Sequence, residues 1–328
     1  MELLPDFALR YPETAGEAAR LLSSQADARV LAGGTAFMVN LRLGLASPGL
    51  LVSLERIPGL RDITEEGDDA VRFGAGVTLA RLTADPVVAA RYPVLAQAAA
   101  SVAGPAHRSV ATIGGNLCLD TRCVFYNQSE TWRRSNDYCL KYRGDTCHVA
   151  PQGKRCHAAY SGDLAPALLV LGADVHIAGP SGARWVPLAA LYRDDGAQHL
   201  ALEPGEFLLA VRVPVPPPAM RAAYRKARVR GAIDFPLAGV AVALETADGR
   251  VRELRVALTG TNSRPLLVAG TDEFRGQAPD AALAERLVKL VQRQASPQRT
   301  TVTSANYRRQ VAAALARRLV NELRASPA

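Results

Sequence analysis

Apolar and polar positions divide the chain into short alternating pieces, followed by two long helical stripes near the C-terminus. Thr14-Ala15-Gly16-Glu17 has the spacing of a capping box, and Ala18, Leu21 and Leu22 supply the apolar face of the helix it opens. Ala28 to Ala32 reads as a buried strand, Phe37 to Leu43 as a helix and Leu50 to Ser53 as a second strand, together a βαβ-like unit. Val71 to Gly74 alternates like a strand. Leu79 to Ala84 and Val94 to Val102 carry helical spacing, and Gly104-Pro105 stops the second of these. Arg108 to Ala111 reads as a strand-like run into Thr112-Ile113-Gly114-Gly115-Asn116. A helix is predicted from Ser161-Gly162-Asp163, with Asp163 as a candidate N-cap, then a hairpin over Val175 to Val186 and a strand from Phe207 to Val213. Beyond it, Met220 to Lys226, Leu237 to Leu244 and Val251 to Leu258 read as strands. Ala281 to Gln294 and Ser304 to Leu323 read as amphipathic helices.

Periodicity fails between residues 118 and 160. Five aromatic residues, Phe125, Tyr126, Trp132, Tyr138 and Tyr142, crowd into this polar, Arg-rich stretch. A long loop without regular structure is uncommon in a compact domain unless something pins it. All five cysteines, at 118, 123, 139, 147 and 156, fall here, so thiolate ligation of a metal or cluster is the simplest reading. Structural zinc favours paired ligands two to four residues apart. The only close pair is Cys118 and Cys123, and the gaps of 16, 8 and 9 positions that follow suit an iron–sulfur cluster on an irregular loop better. His148 and His157, each directly after a cysteine, keep a mixed zinc site open, and free thiols are the third reading.

Two strand-like runs end in glycine pairs, at Gly33-Gly34 and Gly114-Gly115. Such pairs are either plain turns or anion sites, in which missing side chains admit a phosphate to backbone amides. The spacing is neither that of a dinucleotide-binding Gly-x-Gly-x-x-Gly nor that of a P-loop. Two such loops in one chain would suit a diphosphate held between two lobes.

A length of 328 residues predicts two or three domains, and the Pro214 to Pro218 run is the clearest boundary. No apolar run approaches membrane-spanning length; the longest, Leu164 to Ala173, contains Pro166. Met1 to Asp6 carries no signal-peptide pattern, which predicts a cytoplasmic protein with reduced thiols. The charge of +8 raises nucleic-acid binding, but no motif for it is present. A solvated surface or a docking face for an acidic electron carrier accounts for it instead. Hydrolase motifs are absent as well. His107, His176 and His199 read as ordinary histidines, and Lys226 and Arg228 as ordinary surface charge.

Ala32-Gly33-Gly34-Thr35-Ala36, Thr112-Ile113-Gly114-Gly115-Asn116 and Asp163-Leu164-Ala165-Pro166 resemble the FAD-binding medium subunits of the molybdenum hydroxylase family, to which xanthine dehydrogenase and carbon monoxide dehydrogenase belong. The resemblance covers the whole chain. It implies an α+β protein with a two-domain FAD-binding fold of the PCMH, or vanillyl-alcohol-oxidase, type and a C-terminal α+β domain of three-stranded antiparallel sheet and helices. The implied boundaries are residues 1–57, 58–215 and 219–328. By position, Gly33, Gly34, Thr35, Thr112, Gly114 and Gly115 would hold the FAD diphosphate, with Ala32 and Ala36 also cofactor-binding. Asn116 would lie near the flavin, Asp163 near the ribityl chain, and Lys226 would approach the flavin from the third domain.

Most of the family lacks the cysteine-rich segment at about 117–158. It resembles the insertion of 4-hydroxybenzoyl-CoA reductase β subunits, which carries a 4Fe–4S cluster. The resemblance implies Cys123, Cys139, Cys147 and Cys156 as ligands, with Cys118 spare. It further implies a cytoplasmic electron-transfer subunit in aromatic-compound degradation, with no membrane or nucleic-acid partner and no catalytic residue of its own. The partners would be a molybdopterin-containing large subunit, a small subunit with two 2Fe–2S clusters, and ferredoxin as donor, in a heterohexamer built as a dimer of heterotrimers. A molybdenum hydroxylase passing electrons outward and a zinc-stabilised binding module are the alternatives.

Overall fold

The computed structural model describes residues 4–325; Met1 to Leu3, part of the N-terminal segment read above, lie outside it, as do residues 326–328. The first unit runs β1 (Ala8–Arg10), α1 (Ala15–Ser24), β2 (Arg29–Leu31), α2 (Phe37–Arg42) and β3 (Leu50–Ser53). Its three strands form a parallel sheet in the order β1-β3-β2, with the fully buried β3 in the centre. The Thr14 hydroxyl caps α1 by accepting from the Glu17 amide (3.1 Å), and the Glu17 carboxylate accepts from the Glu13 amide (3.0 Å). The predicted cap is therefore present, shifted by one residue on its return bond. Strand β1 escapes the hydrophobic pattern because three residues carry little period, and its pairing with β3 defines it.

The second unit contains β4 (Ile63–Glu66), β5 (Ala70–Gly74), α3 (Leu79–Ala84), α4 (Pro86–Arg91), α5 (Pro93–Ser101), α6 (Pro105–Arg108), α7 (Ile113–Leu117), α8 (Glu130–Ser135), α9 (Leu164–Val170), β6 (Asp174–Gly179), β7 (Gly182–Pro187) and β8 (Phe207–Pro214). Its sheet is antiparallel, in the order β4-β5-β8-β6-β7. The run from Arg108 to Ala111 is not a strand. Pro105 sits at the first position of α6, where its missing N–H and fixed φ favour a helix, and Gly104-Pro105 thus starts an element as well as ending one. One continuous apolar core joins this sheet and its helices to α1 and the parallel sheet.

The third unit is β9 (Met220–Ala227), β10 (Ala238–Ala247), β11 (Arg250–Thr259), β12 (Leu266–Leu267), α10 (Ala281–Gln294) and α11 (Ala305–Ala325). The expected three-stranded sheet gains a fourth strand, β12, whose two residues pair with β11. Val240, Val242, Val256 and Leu258 meet Leu287, Leu319 and Val320 of the two long helices in a second core. The other face of the sheet lies on α9, so Ala241, Ala243 and Ala257 belong to the first core. Small side chains there let the helix approach closely.

Leu319 is fully buried under β10, whereas Arg317 pairs with Glu285 on an exposed helix face. Leu319→Ala is expected to cost about 2–5 kcal/mol. Arg317→Ala is expected to cost under about 1 kcal/mol. Urea unfolding followed by circular dichroism measures both.

Candidate functional site

Strand β2 delivers the chain to Gly33-Gly34 and α2 carries it away. The amides of Gly33, Gly34, Thr35 and Ala36 donate to no protein acceptor among the described residues. A half-buried run of unpaired donors is what an anionic group requires. Gly34 turns the loop with φ +70°, a left-handed conformation that glycine adopts without strain. A Cβ at Gly33 would overlap the Val110 carbonyl oxygen, so the two glycine loops meet backbone to backbone there. Ala32 is exposed at the rim, and Thr35 and Ala36 line the turn into α2.

The second loop is built differently. Thr112 caps α7, its hydroxyl accepting from the Gly115 amide (3.1 Å). The Gly114 amide donates to Ala75 O (2.8 Å) and the Ile113 amide to Val77 O (3.0 Å). A Cβ on Gly114 would stand 2.9 Å from the Ala75 Cβ, so this glycine allows close packing against the loop after β5. Among the amides of residues 110–116, only that of Thr112 lacks a protein acceptor among the described residues. The first loop thus offers amides, and the second forms a wall, with exposed Gly115 leaving its surface bare.

Asn116 and Asp163 exchange the roles that their residue types suggest. The Leu164 amide donates to Asn116 Oδ1 (3.0 Å), which makes Asn116 the cap of α9. Asp163 stands at the N-cap position, but its side chain makes no cap bond. It turns instead to the third unit, where Tyr224 Oη donates to Oδ1 (2.5 Å) and Lys226 Nζ to Oδ2 (2.9 Å). The Asp163 and Lys226 side chains are each only 4% exposed, so Lys226 is no surface charge. Burial pushes the Asp163 carboxyl above its ordinary range, against the opposing pull of Lys226 and Tyr224. Burial, reinforced by Asp163, raises the Tyr224 phenol well above its ordinary value, so it remains a donor. Lys226 Nζ and Arg228 Nη1 both donate to Ser101 O, at 3.2 and 3.3 Å. Period-two alternation puts Tyr224, Lys226 and Arg228 on one face of the chain around β9, a signal that would have found Tyr224 from Lys226 alone.

The cysteine segment separates into four and one. Cys139, Cys147 and Cys156 are buried and Cys123 is half-buried. The Cys123 thiol is pushed up to about 11, first by burial and then by Cys139 and Cys147; that of Cys156 rises to about 12, by burial and then by Cys147 and Cys123. Cys123 thus lies near Cys139 and Cys147, and Cys156 near Cys147 and Cys123. Amides of Phe125 and Tyr126 hydrogen-bond the Cys123 thiol, and the Ala158 amide donates to Cys156 Sγ (3.4 Å). Cys118 is pushed up to about 12 by burial alone, and its thiol neighbours Tyr160 and Tyr192 instead.

Among the described residues no three His, Cys, Asp or Glu side chains converge on one ion position. A cubane cluster takes one thiolate per iron, so its ligands stand further apart. Buried thiols with amide donors fit such a group, since binding it removes their protons and supplies the compensating charge.

Side chains that sequence reasoning missed hold this segment in place. Arg133, 1% exposed, donates to Gly44 O (3.0 Å) just beyond α2, pairs with Glu130 (2.8 Å) and stacks over Tyr142. Tyr126 and Cys139 pack on Leu45. Tyr160 and Tyr192 hold the carbonyls of Asn116 and Leu117.

Gly33→Ala is expected to drive the two loops apart and release flavin, measured as flavin bound per chain after gel filtration. Lys226→Met strands the Asp163 charge and is expected to cost about 3–5 kcal/mol near neutral pH. The Asp163 carboxyl, with a folded-state affinity for protons above its unfolded one, makes that variant lose stability as pH rises and regain it as pH falls. Urea titrations at acidic and alkaline pH show the trend.

Residues 5–216 match the family described as FAD binding domain in molybdopterin dehydrogenase, and residues 222–323 match CO dehydrogenase flavoprotein C-terminal domain. The carbon monoxide dehydrogenase medium chain of Afipia carboxidovorans is 30% identical over 321 residues, covering 97% of each chain. The aldehyde oxidoreductase FAD-binding subunit of Escherichia coli is 32% identical, over 84% of this chain and 87% of its own. A crystal structure of Cu,Mo-CO dehydrogenase in its cyanide-inactivated form superposes with a TM-score of 0.81 at 28% identity, covering 99% of both chains. With its unpaired loop amides beside a glycine-walled partner loop, the chain belongs to the FAD-binding medium subunits of the molybdenum hydroxylase family.

Proposed function

We propose that the chain is an electron-transfer subunit bearing both FAD and a 4Fe–4S cluster, and that its complex is a 4-hydroxybenzoyl-CoA reductase. The carrying observation is that buried Cys139, Cys147 and Cys156 and half-buried Cys123 lie in one segment directly after the second glycine loop, with Cys123 near Cys139, Cys147 and Cys156. When bound, the flavin supplies exchange of one or two electrons and the cluster exchange of one. Gly33 to Ala36 would receive the FAD diphosphate on free amides, Gly114 and Gly115 would leave room for it, and Thr112 would offer one further amide. Asn116 orders the start of α9, and the Asp163–Lys226 pair closes the site from the third unit.

The partners in this reading are a molybdopterin-containing large subunit and a small subunit with two 2Fe–2S clusters, arranged as a dimer of heterotrimers, with ferredoxin as donor. Substrate would bind the large subunit. The net reaction joins two electrons and two protons to 4-hydroxybenzoyl-CoA and yields benzoyl-CoA and water. A second reading runs electrons outward from an oxidised substrate, and the dehydrogenase names of the relatives favour it. No helix among the described residues is long and apolar enough to cross a membrane.

Purified chain is expected to show flavin bands plus a broad visible absorbance bleached by dithionite; a colourless, zinc-containing protein would sink the reading. Cys139→Ala is expected to lose the iron–sulfur EPR signal and keep its flavin, whereas Cys118→Ala keeps both. Direction is decided in the assembled complex: benzoyl-CoA formed from 4-hydroxybenzoyl-CoA and reduced viologen supports the reductase, and no product supports the outward reading.

A further inference from the structure

Lys141 lies between Cys139 and Cys147, in a turn closed by Tyr142 N donating to Cys139 O (2.7 Å) and Cys139 N to Tyr142 O (3.3 Å). Its side chain is 6% exposed. Lys141 Nζ donates to Asp120 Oδ1 (2.6 Å), Thr121 O (2.9 Å) and Thr121 Oγ1 (2.5 Å), which uses all three of its protons. It also stands 4.5 Å from the ring centre of Tyr126, the side chain that packs against Cys139 and Cys123. Thr121 Oγ1 in turn donates to Gly196 O, and the Gly196 amide donates to Cys156 O (2.8 Å). The ammonium is thus fixed by packing on Tyr126, which clusters with Cys139, on one side and by a hydrogen-bond chain that ends at the Cys156 carbonyl on the other.

The two charges of this pair are not screened alike. The Asp120 side chain is 36% exposed, and its second oxygen accepts from Asn40 Nδ2 (3.4 Å) on α2, the helix that follows the first glycine loop. Water screens the part-exposed carboxylate more than it screens the buried ammonium. The other buried cation of the segment, Arg133, spends its charge on Glu130 and on carbonyls beyond α2. Lys141 is therefore a buried positive charge inside the cysteine segment, paired with a carboxylate that is partly open to water.

We propose that Lys141 is a positioning residue that raises the reduction potential of the iron–sulfur centre, an inference that rests on the four-cysteine reading above. A centre with four thiolate ligands becomes more negative by one charge when it accepts one electron. A cation held in low dielectric favours that reduced form.

The test is a potentiometric titration of the full complex with dithionite and mediators, reading the reduced cluster by EPR at fixed solution potentials. For Lys141→Met the ratio of reduced to oxidised cluster at the wild-type midpoint is expected to fall about tenfold, equivalent to about 59 mV for one electron. A ratio unchanged or raised in a cluster-bearing Lys141→Met protein overturns the proposal. Should that variant fail to assemble its cluster, Asp120→Asn decides: removing the counter-charge is expected to raise the ratio, and no rise overturns the proposal. Wild-type complex whose chain carries no iron overturns the cluster reading itself, which is a different result from a cluster whose potential ignores Lys141.

Discussion

The approach of Gly33 to the Val110 carbonyl is the contact on which the rest of the site depends. Two loops from different units, one after β2 and one between α6 and α7, meet there with no side chain between them. Each then does what the other does not. The first leaves its amides free, and the second spends most of its amides on Ala75, Val77 and its own threonine. Were both loops amide-rich, neither would be rigid without its ligand. The division gives one wall stiffness before binding and leaves the other able to take up charge.

The third unit is attached by chemistry of a different kind. A carboxylate and an ammonium lose their water where β9 meets α9, and a phenol completes the set. Such a pair is a poor source of stability, because desolvation offsets most of the attraction. It is a good source of registration, since a shifted β9 would leave at least one of the charges unanswered. Apolar packing alone, through the small alanines that face α9, would tolerate more sliding.

Much of this was legible in the chain. The helices over Ala281–Gln294 and at Ser304 to Leu323 announced themselves by period, and the glycine pairs and cysteines by type and position. Strands β1, β4 and β12 were not legible, because they are short or polar and exist through their neighbours. Asp163 looked like a cap because Asp before an apolar helix usually is one. The cap came from Asn116, 48 positions before Leu164, and no local rule encodes that. Tyr224, Lys141 and Arg133 share this difficulty: each is an ordinary residue whose role is decided by what the fold brings opposite it.

The cysteine segment leaves and rejoins the body at one place. The Arg122 amide donates to Ala159 O and the Ala159 amide to Arg122 O, both at 2.8 Å, so the segment is pinched shut at its base. The distance across that base is the distance between two paired backbones, which a short turn also bridges. The neck makes the segment a single excursion from the flavin-binding frame, and its two ends lie close enough for a short turn to join them.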